Sequence, residues 1–227
     1  IASKLGLSGI PEIAERILIE RDLTLLEKVK CRYHISQISS QKSVDVIKQR
    51  KEIIKFTSGV SINNLSLNEN DIGDFRTFLK LSPPLRTEED RVALVQGLKE
   101  ELIDVIVSDH KPEDEESKRL TFSQAATGAS GIETLLSLSL ELYHNGSLKL
   151  ETIIKALTSN PAKILKINKG NLSIGNDADF CIVDIDKPWI VKKEKLVSKS
   201  KNTSIEDKKL QGKVVNTFVK GKELFKL

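Results

Sequence analysis

Methionine is absent from this chain of 227 residues, and imidazole is scarce: His34, His110 and His144 are the only histidines. Three histidines leave little nitrogen for a zinc centre, which usually draws on several imidazoles. Cys31 and Cys181 are the only cysteines. Both stand in strand-like apolar surroundings, Lys-Cys-Arg-Tyr and Phe-Cys-Ile-Val, and read as buried thiols of a reducing compartment rather than as a disulfide framework. No apolar run is long enough to cross a bilayer as a helix, and no signal-peptide pattern opens the chain, so a cytoplasmic location and no membrane partner are expected. Blocks of one charge sign are also missing. Lysine and arginine total 36 against 32 acids, a net charge of +4, and the two signs are interspersed. Even the lysine-rich stretch beyond Lys192 is broken by Glu194, Glu206 and Asp207. That excludes the clustered basic footprint of a nucleic-acid-binding protein. No internal repeat or low-complexity tract is evident.

What is present is a βα rhythm. A length of 227 residues can bury a substantial core in one or two domains. Pro11 opens a helix over Glu12 to Lys28, with Ile13, Ile17, Leu18 and Leu25 as its apolar stripe. Cys31 to Ile38 reads as a strand, and Gln41 to Lys51 as a helix. Further strands are expected over Ile53 to Ile62, Phe78 to Leu81 and Ile103 to Ser108. Thr87 caps a helix whose first turn carries Glu89 and Asp90. Helices follow over Ile132 to Tyr143, over Leu150 to Ala156, and from Asn160 to Leu165. Alternating strands and helices imply parallel strands with helices outside. From Gly170 the pattern turns β-rich, with Phe180 to Val183, Val214 to Lys220 and Glu223 to Phe225 as short strands.

The apolar strand Asp104-Val105-Ile106-Val107-Ser108 ends at Asp109-His110, a common place for a working carboxylate in a barrel enzyme. Asp109 is either such a carboxylate or one held structurally by backbone N–H groups. His110 and His34 read as structural, and His144 as a helix-end residue where positive charge is favourable. Gln37 and Asn63-Asn64 stand at two other strand ends.

The stretches GLSGIPEIAERILIERD, YHISQISS, LSPPLRTEEDR, IDVIVSDHKPE, GASGIETLLSL, LTSNPAKIL, GNLSIGNDADFCIVD and SKSKNTSIE, in this order, resemble the C-terminal half of dihydroorotase, a cyclic amidohydrolase of the metal-dependent amidohydrolase superfamily. The resemblance implies an α/β fold: a partial TIM (β/α)8 barrel, roughly strands five to eight, over residues 1–168. A small β-sandwich-like appendage follows over residues 169–227. The family reaction is the zinc-dependent, reversible opening of dihydroorotate to carbamoyl aspartate in pyrimidine biosynthesis.

Carried over residue by residue, the family pattern is interrupted. The fifth-strand His-x-x-His-Val-Ser becomes His34-Ile35-Ser36-Gln37-Ile38-Ser39, so Gln37 takes a metal-ligand position. The sixth-strand Pro-His-His-Leu becomes Ile62-Asn63-Asn64-Leu65, placing Asn64, with Asn63 beside it, where a histidine ligand is expected. The eighth-strand aspartate survives as Asp109, which in the family binds metal and shuttles the proton. On the substrate side the family's Asn-Pro-Pro-Leu-Arg becomes Ser82-Pro83-Pro84-Leu85-Arg86, and Asp-His-Ala-Pro-His becomes Asp109-His110-Lys111-Pro112-Glu113. Ser82, Arg86 and Glu113 therefore hold the family's substrate-binding positions. Arg86 could equally form a loop-to-helix ion pair, and an acid at Glu113 disfavours an anionic substrate. Amides are poor zinc donors because their nitrogen lone pair is delocalised, so the expectation is a chain that holds no zinc tightly and is inactive alone. Four barrel strands would leave two open edges. The partners implied are an N-terminal half-barrel, a further copy of the chain, or aspartate transcarbamoylase, which some metal-free members of the family hold in a complex.

Overall fold

The computed structural model describes residues 2–227. Three parallel strands, β1 (His34–Ile38), β2 (Thr57–Ser61) and β3 (Val105–Val107), lie side by side in that order. The helices are α1 (Glu12–Lys28), α2 (Gln41–Lys51), the short α3 (Ile62–Ser66), α4 (Glu88–Lys99), α5 (Glu115–Arg119), α6 (Leu135–His144), α7 (Leu150–Leu157) and α8 (Ser159–Leu165). α2 packs between α1 and α4, and α7 lies against β3. Ile35, Ile38, Ile47, Val60, Leu94 and Leu98 fill the layer between sheet and helices. The result is a barrel-like half with helices on one face, as alternating βα units require.

Carboxylates fix where the helices begin. Thr87 and Asp90 form a capping box on α4, and Asp90 Oδ1 also accepts the backbone N–H of Gln41 at 2.8 Å. Glu15 on α1 accepts from Ser39 N at 2.9 Å and from Ser43 Oγ at 2.5 Å. Negative charge is thereby gathered at the N-terminus of α2, where unpaired N–H groups favour it.

Three expectations fail. Phe78 to Leu81 is not a strand: Thr77–Leu79 forms a 3₁₀ turn, and β2 pairs directly with β3, Gly59 opposite Val105. No ladder position is left for the intervening segment, which buries Leu79 and Leu81 as a loop instead. Barrel strands therefore number three among the described residues. The apolar stripe assigned to α1 is also on the wrong side. Ile19, Leu23 and Leu26 face the core, whereas Ile13, Ile17, Leu18 and Leu25 are exposed. α1 is apolar on several faces, so periodicity did not distinguish them. Finally, Cys31 and Cys181 are exposed. Cys31 precedes β1, and Cys181 lies on a sheet whose strands are widely exposed.

The second sheet is antiparallel, β4 (Phe180–Ile190), β5 (Lys209–Val219) and β6 (Lys222–Lys226), with β5 in the middle. Between β4 and β5 the chain returns to the barrel half. Asn202, Thr203, Ser204 and Ile205 are buried there, and Ser130 N donates to Asn202 O at 3.1 Å. Trp189 Nε1 donates to Ser137 Oγ at 3.1 Å, and Ser137 Oγ to Gly212 O at 2.6 Å, joining the sheet to α6.

Candidate functional site at the strand ends

The register between β1 and β2 slips by one residue. Ile35 pairs with Ser58 and Ile38 with Val60, so Ser36 and Gln37 together oppose Gly59. This is a β-bulge, which re-aims side chains. It lets Ile35 and Ile38, 6% and 0% exposed, both face the helices, and it turns Gln37 toward Asp109. A side chain at Gly59 would not fit: its Cβ would lie 2.6 Å from Ser36 O.

Gln37 Nε2 donates to Asp109 Oδ1 at 3.0 Å. Burial pushes the Asp109 carboxyl above the usual carboxylate range, opposed by the Gln37 hydrogen bond, the Lys111 ammonium and the Ser61 hydroxyl. Asp109 adopts φ +48°, a conformation Asp tolerates better than most residues. His110 Nδ1 accepts the backbone N–H groups of Gly131 (3.2 Å) and Ile132 (3.4 Å). His34 Nδ1 pairs with Thr57 Oγ1 at 2.8 Å; burial lowers its pKa, with Asp104 opposing. His144 closes α6 and meets Ile185 O at 3.0 Å.

Asn63 and Asn64 belong to the short α3 and are 2% and 3% exposed. Asn64 Nδ2 donates to Pro84 O at 3.0 Å, while Asn63 Oδ1 accepts from Ser204 Oγ at 2.9 Å. Asn63 Nδ2 and Asn64 Oδ1 have no hydrogen-bond partner, an arrangement that costs free energy in a buried place.

The expected substrate-side residues diverge. Ser82 and Arg86 line a cavity of about 620 Å³ closed by the first turn of the chain, whose lining does not include Asp109. The Arg86 guanidinium is engaged there, Nε to Ser39 Oγ at 2.8 Å and Nη1 to Ile10 O at 2.7 Å. Glu113 lines a separate cavity of about 760 Å³ with Ser198, Lys199 and Asn202.

Sequence reasoning missed Lys118. It is 2% exposed, and its Nζ donates to Ala126 O at 2.8 Å and Gly128 O at 2.9 Å. Burial lowers its pKa to about 8, with Glu113 opposing and Lys80 and Lys111 adding to the fall. Nothing in the local sequence marks it as buried. Lys111 and Ser61 were also overlooked as partners of Asp109; the alanine-to-lysine departure at Lys111 was the available sign.

The model of the amidohydrolase family matches residues 19–224. The chain belongs to the amidohydrolase family. The chain is 43% identical to the dihydroorotase of Ehrlichia chaffeensis over 228 aligned residues, covering all of this chain and 51% of that protein. It is 42% identical to the dihydroorotase of Ehrlichia canis, covering 99% and 51%. The chain thus spans about half the length of these relatives. Among solved structures it superposes on the L-hydantoinase (dihydropyrimidinase) of Arthrobacter aurescens with a TM-score of 0.91 at 29% identity, covering 95% of this chain and 49% of that one.

Dihydroorotase-type members of the family use zinc, and the residues here do not fit it. Among the described residues no three His, Cys, Asp or Glu side chains converge. Gln37 turns an N–H, not a lone pair, toward Asp109. Zinc in such sites takes imidazole, thiolate or carboxylate ligands; of the three ligand positions carried over from the family pattern, Gln37, Asn64 and Asp109, only Asp109 offers one, and the neighbouring His110 Nδ1 is taken up by backbone N–H groups.

Proposed function

We propose that this amidohydrolase homologue is a non-hydrolytic member of the dihydroorotase branch. On this reading it does not by itself open dihydroorotate, the zinc-dependent step of pyrimidine biosynthesis that the resemblance implies. The observation that carries the proposal is the 3.0 Å hydrogen bond from Gln37 Nε2 to Asp109. Opening a cyclic amide needs an activated water, a polarised carbonyl and a proton for the leaving nitrogen. Asp109 can take up and deliver a proton, but it cannot supply the other two. Glu113 adds negative charge at a position the family uses to meet an anionic substrate. The test is ring opening of dihydroorotate, followed by ultraviolet absorbance, with the chain supplied with excess zinc. No turnover above the protein-free rate is expected; zinc-dependent opening that Asp109→Ala abolishes would overturn the proposal.

A second reading, a structural partner, is favoured by one observation. Arg50 of α2 meets Glu27 and Thr24 on one flank of α1. On the flank away from α2, Leu18, Leu25 and Val29 are 51%, 57% and 59% exposed, and β1, the strand that follows α1, is an edge of its sheet. An apolar helix flank together with an unpaired strand edge is a surface for another polypeptide. The partners consistent with it are the other half of a barrel, a second copy of this chain or aspartate transcarbamoylase. Co-purification with one of these, lost on Leu18→Asp, supports this reading, whereas a monodisperse monomer that binds none contradicts it.

A further inference from the structure

We infer that the Gln37 amide has taken over the mechanical task of a metal: with Ser61 and Lys111 it clasps Asp109, tying the first barrel strand to the third without any bound ion. The inference rests on the non-hydrolytic reading above and deepens it.

β1 and β3 are not neighbours. β2 lies between them, so their backbones stand roughly 9–10 Å apart at the usual strand spacing. A direct side-chain tie across that gap needs a long residue on one strand. Gln37 has the length, the bulge in β1 lies at it, and its Nε2 reaches Asp109 Oδ1 at 3.0 Å just beyond the end of β3. From β2 the Ser61 hydroxyl stands near enough to favour the charged form of Asp109. Gln37 Nε2 supplies the hydrogen bond that crosses from β1.

The chemistry of the tie is that of a donor replacing a cation. An ionised carboxylate only accepts hydrogen bonds, so the Gln37 amide must present N–H to it and turn its oxygen elsewhere. A metal shared by these two residues would need lone pairs from both. The clasp and a shared ion are consequently exclusive: one must open for the other to form. A half-buried carboxylate also needs compensating charge or donors. Lys111, where the family pattern has alanine, supplies the positive charge.

A double-mutant cycle tests this on the full chain. Gln37→Ala, Asp109→Ala and the pair are compared by urea unfolding in the presence of a chelator. A hydrogen bond to a charged group corresponds to roughly a tenfold change in equilibrium constant. The two single effects should therefore exceed the double by about tenfold when multiplied, and excess zinc should leave the wild-type midpoint unmoved. Effects that multiply to within about twofold of the double variant would sink the clasp, as would a wild-type midpoint raised by zinc. If Asp109→Ala does not fold, side-chain amide NMR of the wild type decides. The Gln37 Nε2 protons should exchange slowly relative to exposed glutamines such as Gln41, and rapid exchange would refute the bond. Zinc-dependent ring opening with the coupling intact would instead defeat the non-hydrolytic reading and leave the clasp standing.

Discussion

Replacing Lys118 by methionine probes the buried cation beneath the loop that follows Asp109. Lys118 Nζ bonds Ala126 O and Gly128 O, and Gly128 O has a second donor, Asn202 Nδ2, at 3.0 Å. Lys118→Met therefore orphans one carbonyl, that of Ala126, and weakens the satisfaction of another. An unsatisfied buried carbonyl costs about 1–3 kcal/mol, while the methionine keeps the aliphatic packing and no longer buries an ammonium. The pH dependence makes the reasoning sharper. The folded-state pKa of about 8 lies below the ordinary lysine value of 10.5. Below pH 8 both folded and unfolded chains hold the proton, and the cost of burying it is constant. Between pH 8 and 10.5 the unfolded chain binds more protons than the folded one, so stability rises with pH, and above 10.5 it levels. Wild type should therefore gain on Lys118→Met across that window by about 1–3 kcal/mol. Glu113, Lys80 and Lys111 surround the group and are present in both proteins, so the comparison isolates the removal of the Lys118 ammonium. Urea unfolding at pH 7.5, 8.5, 9.5 and 10.5 gives the difference directly. A gap between the two proteins that stays constant within about 0.5 kcal/mol, the equivalent of little more than a third of a pKa unit, would refute the assignment of a buried, easily deprotonated lysine.

Other expectations follow from the same contacts. Gly59→Ala places a Cβ against Ser36 O at 2.6 Å and should cost about 1–3 kcal/mol by overpacking, read as a lowered melting temperature; an unchanged melting temperature would mean the bulge in β1 is not as described. Leu18→Asp changes an exposed side chain, so the stability of the isolated chain should move by no more than about 0.5 kcal/mol, and a large loss in urea unfolding would show that the flank is already covered. Gln37→His combined with Asn64→His should not create ring-opening activity, because the rest of a two-metal donor set is still missing; activity in the dihydroorotate assay would contradict the donor inventory.

The helices were legible wherever caps and period agreed. Pro11 before α1, Ser40 before α2 and the Thr87–Asp90 capping box before α4 each announce a start that does not depend on tertiary packing. The face of α1 was not legible, since Ile13, Ile17, Leu18 and Leu25 are as apolar as the residues that are buried. The flank that meets α2 carries Glu27 and Thr24, which Arg50 contacts from a distant part of the sequence. Phe78 to Leu81 reads as a short strand closed by Pro83-Pro84, yet a strand also needs a free ladder beside it, and β2 and β3 pair directly. At the site, the departures at Gln37, Asn63 and Asn64 from the family pattern stand in the sequence itself. The hydrogen bond that joins Gln37 to Asp109, the support from Ser61 and the burial of Lys118 depend on three-dimensional neighbours. The separation of Ser82 and Arg86 from Asp109 is likewise a matter of how loops fold over the strand ends.

The central claim is most directly tested by zinc stoichiometry, measured by elemental analysis on the full chain after equilibration with excess zinc and removal of loosely held ions. With amides where imidazoles would be required, less than one tightly held zinc per chain is expected. Two zinc ions retained per chain would contradict the account.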